Sequence, residues 1–412
     1  MTTLSMLWDI FWIFLKLGCT SFGGPIAHIG FFRSEFVQKQ RWLSERDYFD
    51  LVALCQFLPG PASSQVGMAL GLLRAGYAGA FVAWLGFTLP SALVMIALGV
   101  GFNAYPELLG NEIGHGLKII ALAIIAHAVF AMAKTFCNTA SKIAITLLSL
   151  AFLQLALMQH SAAGYWQILA ISIGALSGML LVPKAESDAT TAAESQHQPV
   201  PWLNAKAGIG WGLVFLVLLI GLPIVANLFN LPVAHLVDDL FRAGSLVFGG
   251  GHAVLPQLQA EFVEPGLLSA DSFVAGYGAV QAMPGPLFSF AGYLGASISE
   301  HSGMLSSGWG LGIVAICAIF APAFLLLAAV LPFWLKFSHN GLIQRAMAGI
   351  GASVVGILLS TLYHPVWTST IYSPLDFGLA LTAFMALQFA KISPLVLVLI
   401  AVSISLAVSL LF

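Results

Sequence analysis

One long motif occurs twice in this chain, and the repetition constrains the fold more than any other feature. The first copy begins with Ser-Phe-Gly-Gly-Pro at residues 21–25 and ends with Gln-Phe-Leu-Pro-Gly-Pro at 56–61. The second begins with Val-Phe-Gly-Gly-Gly at 247–251 and ends with Gln-Ala-Met-Pro-Gly-Pro at 281–286. Both copies carry Glu-Phe-Val and Leu-Ser between these ends. A repeat of this length indicates two homologous halves.

The composition indicates that both halves lie in a lipid bilayer. Hydrophobic residues make up 59% of the chain and charged residues only 8%, against roughly 25% charged residues in a soluble domain. The apolar residues fall in blocks long enough to cross a membrane as helices. We therefore predict an all-α polytopic membrane protein.

The sequence lacks the patterns that would indicate other kinds of function. The four cysteines are isolated and predict neither a disulfide framework nor a metal site (Cys19, Cys55, Cys137 and Cys317). The chain contains no P-loop and no H-E-x-x-H motif, so we expect no cofactor, no metal and no enzymatic activity. No basic run indicates nucleic-acid binding.

Each copy of the motif contains a helix break. Proline removes a backbone donor and clashes with the preceding turn, so the two Pro-Gly-Pro sequences interrupt the apolar segments around them. A half-helix of about 12 residues is ~18 Å long, too short to span a bilayer alone. Each pair forms either one broken spanning helix or a re-entrant hairpin. The predicted half-helices are 47–58 and 61–73 in the first copy, and 272–283 and 286–299 in the second.

The remaining blocks define the domain organisation. We predict a first repeat at residues 1–182, a flexible polar linker at 183–206, a connecting transmembrane helix at 207–229 and a second repeat at 230–412. The first repeat opens with a short helix at 4–22 and an amphipathic surface segment at 28–46. The other predicted spans are 77–102, 117–133, 143–159 and 164–182, then 231–248, 309–335, 342–362, 374–390 and 393–411.

The basic residues indicate that the two repeats have opposite orientations. Lys and Arg favour cytoplasmic connectors. Residues 28–46 contain four basic residues and the equivalent residues 251–271 contain none. The bias is reversed at residues 103–115, which have none, whereas their counterpart contains Lys336 and Arg345. We therefore predict inverted-topology repeats, with helix 207–229 supplying the odd crossing that an inversion needs.

These motifs resemble those of the chromate transporter family. The resemblance covers the full chain and the long, two-domain form of the family. It rests on Ser-Phe-Gly-Gly-Pro at 21–25, Arg-Trp-Leu-Ser-Glu at 41–45, Gln-Phe-Leu-Pro-Gly-Pro-Ala at 56–62, Phe-Gly-Gly-Gly-His at 248–252 and Ala-Met-Pro-Gly-Pro at 282–286. It implies a bacterial or archaeal inner-membrane transporter that exports chromate, confers chromate resistance and uses the proton motive force. It also implies that some relatives handle sulfate.

A compact dianion such as chromate needs fixed hydrogen-bond donors in place of its hydration shell. Half-helix N-termini supply unpaired N–H groups and a positive dipole end, and glycine permits a close backbone approach. Alternatively, the glycines and prolines only permit tight helix crossings. The candidate substrate-binding residues at the breaks are Gly23, Gly24, Pro59, Gly60, Pro61, Ser63, Ser64, Gly249, Gly250, Pro284, Gly285, Pro286 and Ser289, with Gln65 as a further donor.

Charged residues beside the breaks are further candidates. Lys16 and Arg242 occupy equivalent positions before Phe-Gly-Gly, and they either bind the anion or extend to the membrane surface from helix ends. The candidate proton-coupling groups are His28, Glu35, His252 and Glu261. Alternatively, Glu35 is a surface carboxylate that pairs with Arg33 or Lys39, and the histidines make local hydrogen bonds.

The sequence thus predicts a secondary active transporter whose partners are a tetrahedral oxyanion and the lipid bilayer. The alternatives are a sulfate transporter or exchanger and a passive anion channel, and a homodimer is compatible with the pattern. We expect the first copy to contribute more to anion binding, because it has Ser63 and Ser64 where the second copy has Phe288 and Ser289.

Overall fold

The computed structural model is helical, with no strand among the residues that it describes. These residues are 3–22, 24–104, 111–157, 163–183, 204–229, 231–247, 254–281, 283–298, 308–334, 341–368, 370–392, 396–401 and 403. The fold class predicted from the apolar blocks is therefore confirmed at the level of an all-helical membrane protein. The predicted linker lies almost entirely outside the described residues.

The helices of the first repeat follow the predicted apolar blocks. They are α1 (Thr3–Thr20), α2 (Gly24–Phe32), α3 (Glu45–Phe57), α4 (Ala62–Ala104), α5 (Asn111–Phe136), α6 (Ala140–Leu157) and α7 (Ala163–Leu181). A π-helical turn, Arg33–Lys39, continues α2. Ser44 caps α3 by accepting a hydrogen bond from the Asp47 N–H at 3.1 Å, because the first N–H groups of a helix have no partner within it.

A connecting helix and the second repeat follow. The helices are α8 (Ala205–Phe229), α9 (Pro232–Ser245), α10 (Leu255–Phe262), α11 (Ala270–Gln281), α12 (Phe290–Ser297), α13 (Gly308–Val330), α14 (Gly341–Thr361) and α15 (Pro374–Gln388). A 3₁₀ turn, Leu287–Ser289, precedes α12. The shared motif makes α9 the counterpart of α1, and α11 the counterpart of α3.

Both predicted helix breaks are present. α3 ends at Phe57 and α4 begins at Ala62, while α11 ends at Gln281 and the 3₁₀ turn begins at Leu287. We call residues 58–61 the first break and residues 283–286 the second break. The re-entrant path of these segments stays a prediction.

In the part of the chain that the structure describes, four helices are long and apolar enough to cross a membrane: Ala62–Phe102, Ala205–Phe229, Gly308–Phe333 and Gln344–His364. The first of these belongs to α4, which would be ~65 Å long if straight. It bends instead at Ala75 and Gly76, where the backbone leaves the helical region. This bend separates the predicted half-helix 61–73 from the predicted span 77–102.

The internal prolines align the long helices of the two repeats. Pro90 lies within α4 and Pro322 within α13. Near each proline the first helix of the same repeat crosses closely, because a glycine removes the intervening side chain. A Cβ atom built on Gly18 would lie 2.6 Å from the Phe87 carbonyl oxygen, and one on the equivalent Gly244 would collide with the Ile319 carbonyl oxygen. These crossings are as tight as glycine permits.

The two repeats also interlock away from the motif. Helix α14 of the second repeat packs against α6 and α7 of the first. The Thr146 hydroxyl donates to the Ala352 carbonyl oxygen at 2.8 Å, and the Ser149 hydroxyl donates to the Ser353 hydroxyl oxygen at 2.9 Å. Hydrogen bonds between helices matter in a bilayer because no water competes for the same groups.

Candidate substrate site

Each break is hydrogen-bonded to the opposite repeat, and the two hydrogen bonds are reciprocal. The Gly60 N–H donates to the Val247 carbonyl oxygen at 2.7 Å, and the Gly285 N–H donates to the Ser21 carbonyl oxygen at 3.0 Å. Gly60 is equivalent to Gly285, and Ser21 to Val247, in the duplicated motif. Each break therefore binds the residue just before Phe-Gly-Gly of the other repeat, and both copies of the motif meet in one place.

Backbone geometry explains why each break has a glycine at its centre. The φ angle is +122° at Gly60 and +97° at Gly285, a region that residues with a Cβ atom rarely adopt. A Cβ atom on Gly60 would lie 3.1 Å from the Ala323 Cβ, and one on Gly285 would lie 3.0 Å from the Ser91 hydroxyl oxygen. Each break thus packs against the residue that follows the internal proline of the other repeat.

A buried histidine connects the first copy of the motif to the start of α4. His28 is 1% exposed. Its Nε2 lies 3.1 Å from the Ser21 carbonyl oxygen and its Nδ1 lies 3.3 Å from the Ser63 hydroxyl oxygen. The carbonyl can only accept, so Nε2 carries a proton, and in a neutral ring Nδ1 accepts from Ser63. The ring also packs edge-on against Phe87, with centroids 5.2 Å apart.

A set of buried polar side chains, which we call the polar cluster, comes from the first copy of the motif, the first turn of α4 and the residues around Pro90. All of its members are at most 2% exposed, and they are Ser21, His28, Ser63, Ser64, Gln65, Thr88 and Ser91. Several polar atoms in the cluster have no hydrogen-bond partner among the described residues: Ser21 Oγ, Ser64 Oγ, Gln65 Oε1 and Thr88 Oγ1. An unpaired buried polar group costs about 1–3 kcal/mol. A partner from outside the protein, such as water or a bound ligand, would remove this cost.

Most of the equivalent positions of the second copy are apolar. Val247 replaces Ser21, Phe288 replaces Ser63, and Phe290 replaces Gln65. Ser289, the counterpart of Ser64, donates its hydroxyl to the Pro286 carbonyl oxygen at 2.8 Å. Sequence analysis proposed a serine hydroxyl as a donor in each copy. The two hydroxyls differ in their hydrogen bonds, because Ser64 has no partner among the described residues and Ser289 already donates within its own turn.

The cations of the motif lie beside its glutamates and not in the polar cluster. Lys16 is exposed on α1 and within electrostatic range of Glu35. Arg242, at the equivalent position, is within range of Glu261 and pairs with Asp238. The same cation–glutamate relation thus occurs in both repeats.

Glu35 carries its charge at neutral pH. Burial raises the pKa of Glu35, but hydrogen bonds from Lys39 and Gln40 and the charges of Lys39 and Lys16 outweigh burial and lower it below its usual value. The Lys39 Nζ lies 3.0 Å from Glu35 Oε2. This is the surface pairing that the sequence allowed as an alternative to proton coupling.

Several predicted residues cannot be placed in this arrangement. Gly23, Gly249, Gly250 and His252 lie outside the described residues.

The prolines of the breaks are described, and the Pro59 carbonyl oxygen accepts a hydrogen bond from Gln65 Nε2 at 2.8 Å. Gly24 begins α2 with a φ angle of +76°.

Sequence reasoning missed Thr88 and Ser91. Thr88 lies two residues before Pro90 and Ser91 directly follows it, inside an apolar span. The equivalent residues of the second repeat are Phe320 and Ala323. A comparison of the two long helices around their internal prolines would have exposed this difference. The described residues contain no group of three or more His, Cys, Asp or Glu side chains that could hold a metal ion.

Comparison with known proteins identifies the family. The sequence model described as "Chromate transporter" matches residues 8–179 and again residues 234–406. The chain belongs to the chromate transporter family. Each match covers one repeat, so the family's own unit is the half that carries one copy of the motif. A member of this family is a membrane transporter and not an enzyme.

The curated relatives of this chromate transporter family member align with most of its length. A probable chromate transport protein of Synechococcus elongatus is 27% identical over 84% of this chain and 81% of its own. A chromate transport protein of Pseudomonas aeruginosa is 26% identical over 86% and 79%. An uncharacterized transporter of Methanocaldococcus jannaschii is 27% identical over 85% and 82%. No solved structure matches the chain.

Proposed function

We propose that this protein is a secondary active transporter that exports chromate across the bacterial inner membrane, uses the proton motive force and confers chromate resistance. The observation that carries the proposal is the reciprocal pair of hydrogen bonds, Gly60 to Val247 and Gly285 to Ser21. Reciprocal contacts between equivalent residues are what a two-fold axis produces. Together with the reversed charge bias of the connectors, they support inverted repeats around a shared central site.

The polar cluster supplies the chemistry that an oxyanion needs at that site. The first N–H groups of a helix such as α4 have no partner within that helix, and the hydroxyls of Ser64, Ser21 and Thr88 are buried without partners among the described residues. Neutral donors and a helix dipole can hold an anion without a fixed positive charge. Such a site releases its anion more readily than one built on Arg or Lys, which suits transport.

The proposal is tested by uptake of labelled chromate into inverted membrane vesicles, with and without an uncoupler. We expect energised uptake that the uncoupler removes. Sulfate as a competitor distinguishes a chromate transporter from a general oxyanion transporter or exchanger. Uptake that persists unchanged with the uncoupler and stops at equal concentrations would indicate a passive channel, and absent uptake would contradict the proposal.

A further inference from the structure

The amide of Gln65 has a fixed orientation. Its Nε2 lies 2.8 Å from the Pro59 carbonyl oxygen, and since a carbonyl oxygen only accepts, this atom must be the N–H₂ group. A Cβ atom built on Gly60 would lie 3.0 Å from the same nitrogen, so the side chain is folded back over the first break. The position of Oε1 in the break is thereby determined as well.

This orientation leaves a buried acceptor at the first break. Gln65 is 0% exposed, and its Oε1 has no partner among the residues that the structure describes. Its neighbour Ser64 has an unpaired hydroxyl, and Ser63 is joined to Ser21 through His28. Thr88, also unpaired, follows the Phe87 ring that packs on His28. The first turn of α4 therefore holds an unpaired acceptor at Gln65 next to an unpaired hydroxyl at Ser64, and this pairing has a chemical consequence for a bound anion.

A fully deprotonated tetrahedral oxyanion offers acceptors only, and its oxygens would be repelled by the Gln65 oxygen. An oxyanion that keeps one proton offers an O–H group that this oxygen can accept. A site built to bind a hydroxyl group rejects an analogue that lacks it, because the acceptor of the site is then left unpaired. The acceptor belongs to the first copy alone, since Phe290 occupies the equivalent position.

We propose that Gln65 makes this site selective for the protonated form of a tetrahedral oxyanion, with Oε1 accepting the hydrogen bond from the anion's hydroxyl group. The proposal rests on the proposed anion-transport function and names the species that the site binds. Chromate takes up a proton near neutral pH, so the species carried is hydrogen chromate, which moves one proton and one negative charge together. A membrane potential that is negative inside favours export of that charge.

Phosphate and sulfate test the proposal at equal charge. At mildly alkaline pH both are tetrahedral dianions, but only hydrogen phosphate carries an O–H group. The dissociation constants of inorganic phosphate and inorganic sulfate are measured by calorimetry on the purified full-length protein. We expect phosphate to bind about tenfold tighter than sulfate, the effect of one net hydrogen bond. Equal binding, or tighter binding of sulfate, would overturn the proposal.

A substitution then assigns the preference to one residue. Gln65→Met keeps the length of the side chain and removes the acceptor, so the phosphate-to-sulfate preference should fall to about one. Gln56→Met is the matched control, because Gln56 belongs to the same motif and is exposed. A preference retained in Gln65→Met would also contradict the proposal. If Gln65→Met does not fold, the wild-type preference still decides.

The binding and uptake measurements together distinguish a failure of the proposed function from a failure of the proposed selectivity. Wild-type protein that binds both anions with the expected preference, but gives no energised chromate uptake in vesicles, would contradict chromate export and retain the selectivity. Energised chromate uptake without a phosphate preference would contradict only the selectivity. Binding of neither anion would contradict the site and the selectivity together.

Discussion

Ser64 and Ser289 occupy the same position in the two copies of the motif and differ in their hydrogen bonds. Ser289 donates to Pro286 within its own turn, whereas Ser64 has no partner among the described residues although it is 2% exposed. A hydroxyl that is already bonded gains little from an anion, and an unpaired one gains a full hydrogen bond. The two copies therefore differ in the hydroxyl groups that are available to bind an anion, as well as in their amino-acid composition.

This pair gives a test within a single chain. We expect Ser64→Ala to raise the KM for chromate uptake about tenfold, because a charge-assisted hydrogen bond is lost, while its melting temperature stays equal or rises. Ser289→Ala should leave the KM near the wild-type value. Equal effects of the two substitutions on KM would show that the copies contribute alike.

A second test concerns the backbone of the breaks. Gly60→Ala should destabilise the protein by about 1–3 kcal/mol, because its φ angle is positive and the new methyl group meets Ala323. The readout is thermal unfolding in detergent. Gly30→Ala is the control, since Gly30 is exposed in α2 and a Cβ atom there meets nothing within 4 Å. Equal stability of both variants would contradict the strain argument.

At the scale of whole helices, the repeats are not packed symmetrically. Helix α11 packs against α5 of the first repeat, whereas its counterpart α3 packs chiefly against α4 and the π-helical turn. An ion pair between Lys118 and Asp271 and a hydrogen bond of 2.9 Å between His115 Nε2 and the Asp376 carboxylate reinforce the contact between α5 and the second repeat. Lys118 is equivalent to Ile343, so the other repeat has no cation at this place.

Cross-linking tests whether this contact opens during transport. In a background without the four native cysteines, Lys118→Cys and Asp271→Cys are joined by a short reversible bifunctional thiol reagent. We expect transport to stop and to return after reduction, because alternating access moves one repeat against the other. A Thr139→Cys and Ser141→Cys pair, at the start of α6 within one repeat, is the control. Full activity of the cross-linked protein would show that this contact stays closed.

Local sequence predicted the helices and breaks but not their contacts. Long apolar blocks and the two Pro-Gly-Pro sequences act within a few residues, so the breaks after Phe57 and Gln281 could be predicted. His28 joins Ser21, Ser63 and the Phe87 ring from distant parts of the chain. Such a cluster depends on how helices cross, and neither composition nor periodicity specifies which polar residue in a span faces another.

At the scale of the whole molecule, the orientation of the repeats is the main prediction. Asn138 and Tyr372 lie in equivalent connectors and both are exposed. Inverted repeats place them on opposite sides of the membrane, with Asn138 inside because Lys134 and Lys142 flank its connector. We expect an impermeant thiol reagent to label Tyr372→Cys from outside whole cells and Asn138→Cys only after lysis. Labelling of both from one side would contradict the inversion.

The reciprocal hydrogen bonds also bear on how such a chain could evolve. If each repeat were a separate polypeptide, a pair of identical copies would make one bond twice, and any mutation would change both ends of the site at once. Fusion of two gene copies removes that restriction. One copy can then gain Ser63, Gln65 and Thr88 while the other gains Phe288, Phe290 and Phe320. The backbone bonds, which need no particular side chain, persist through this divergence.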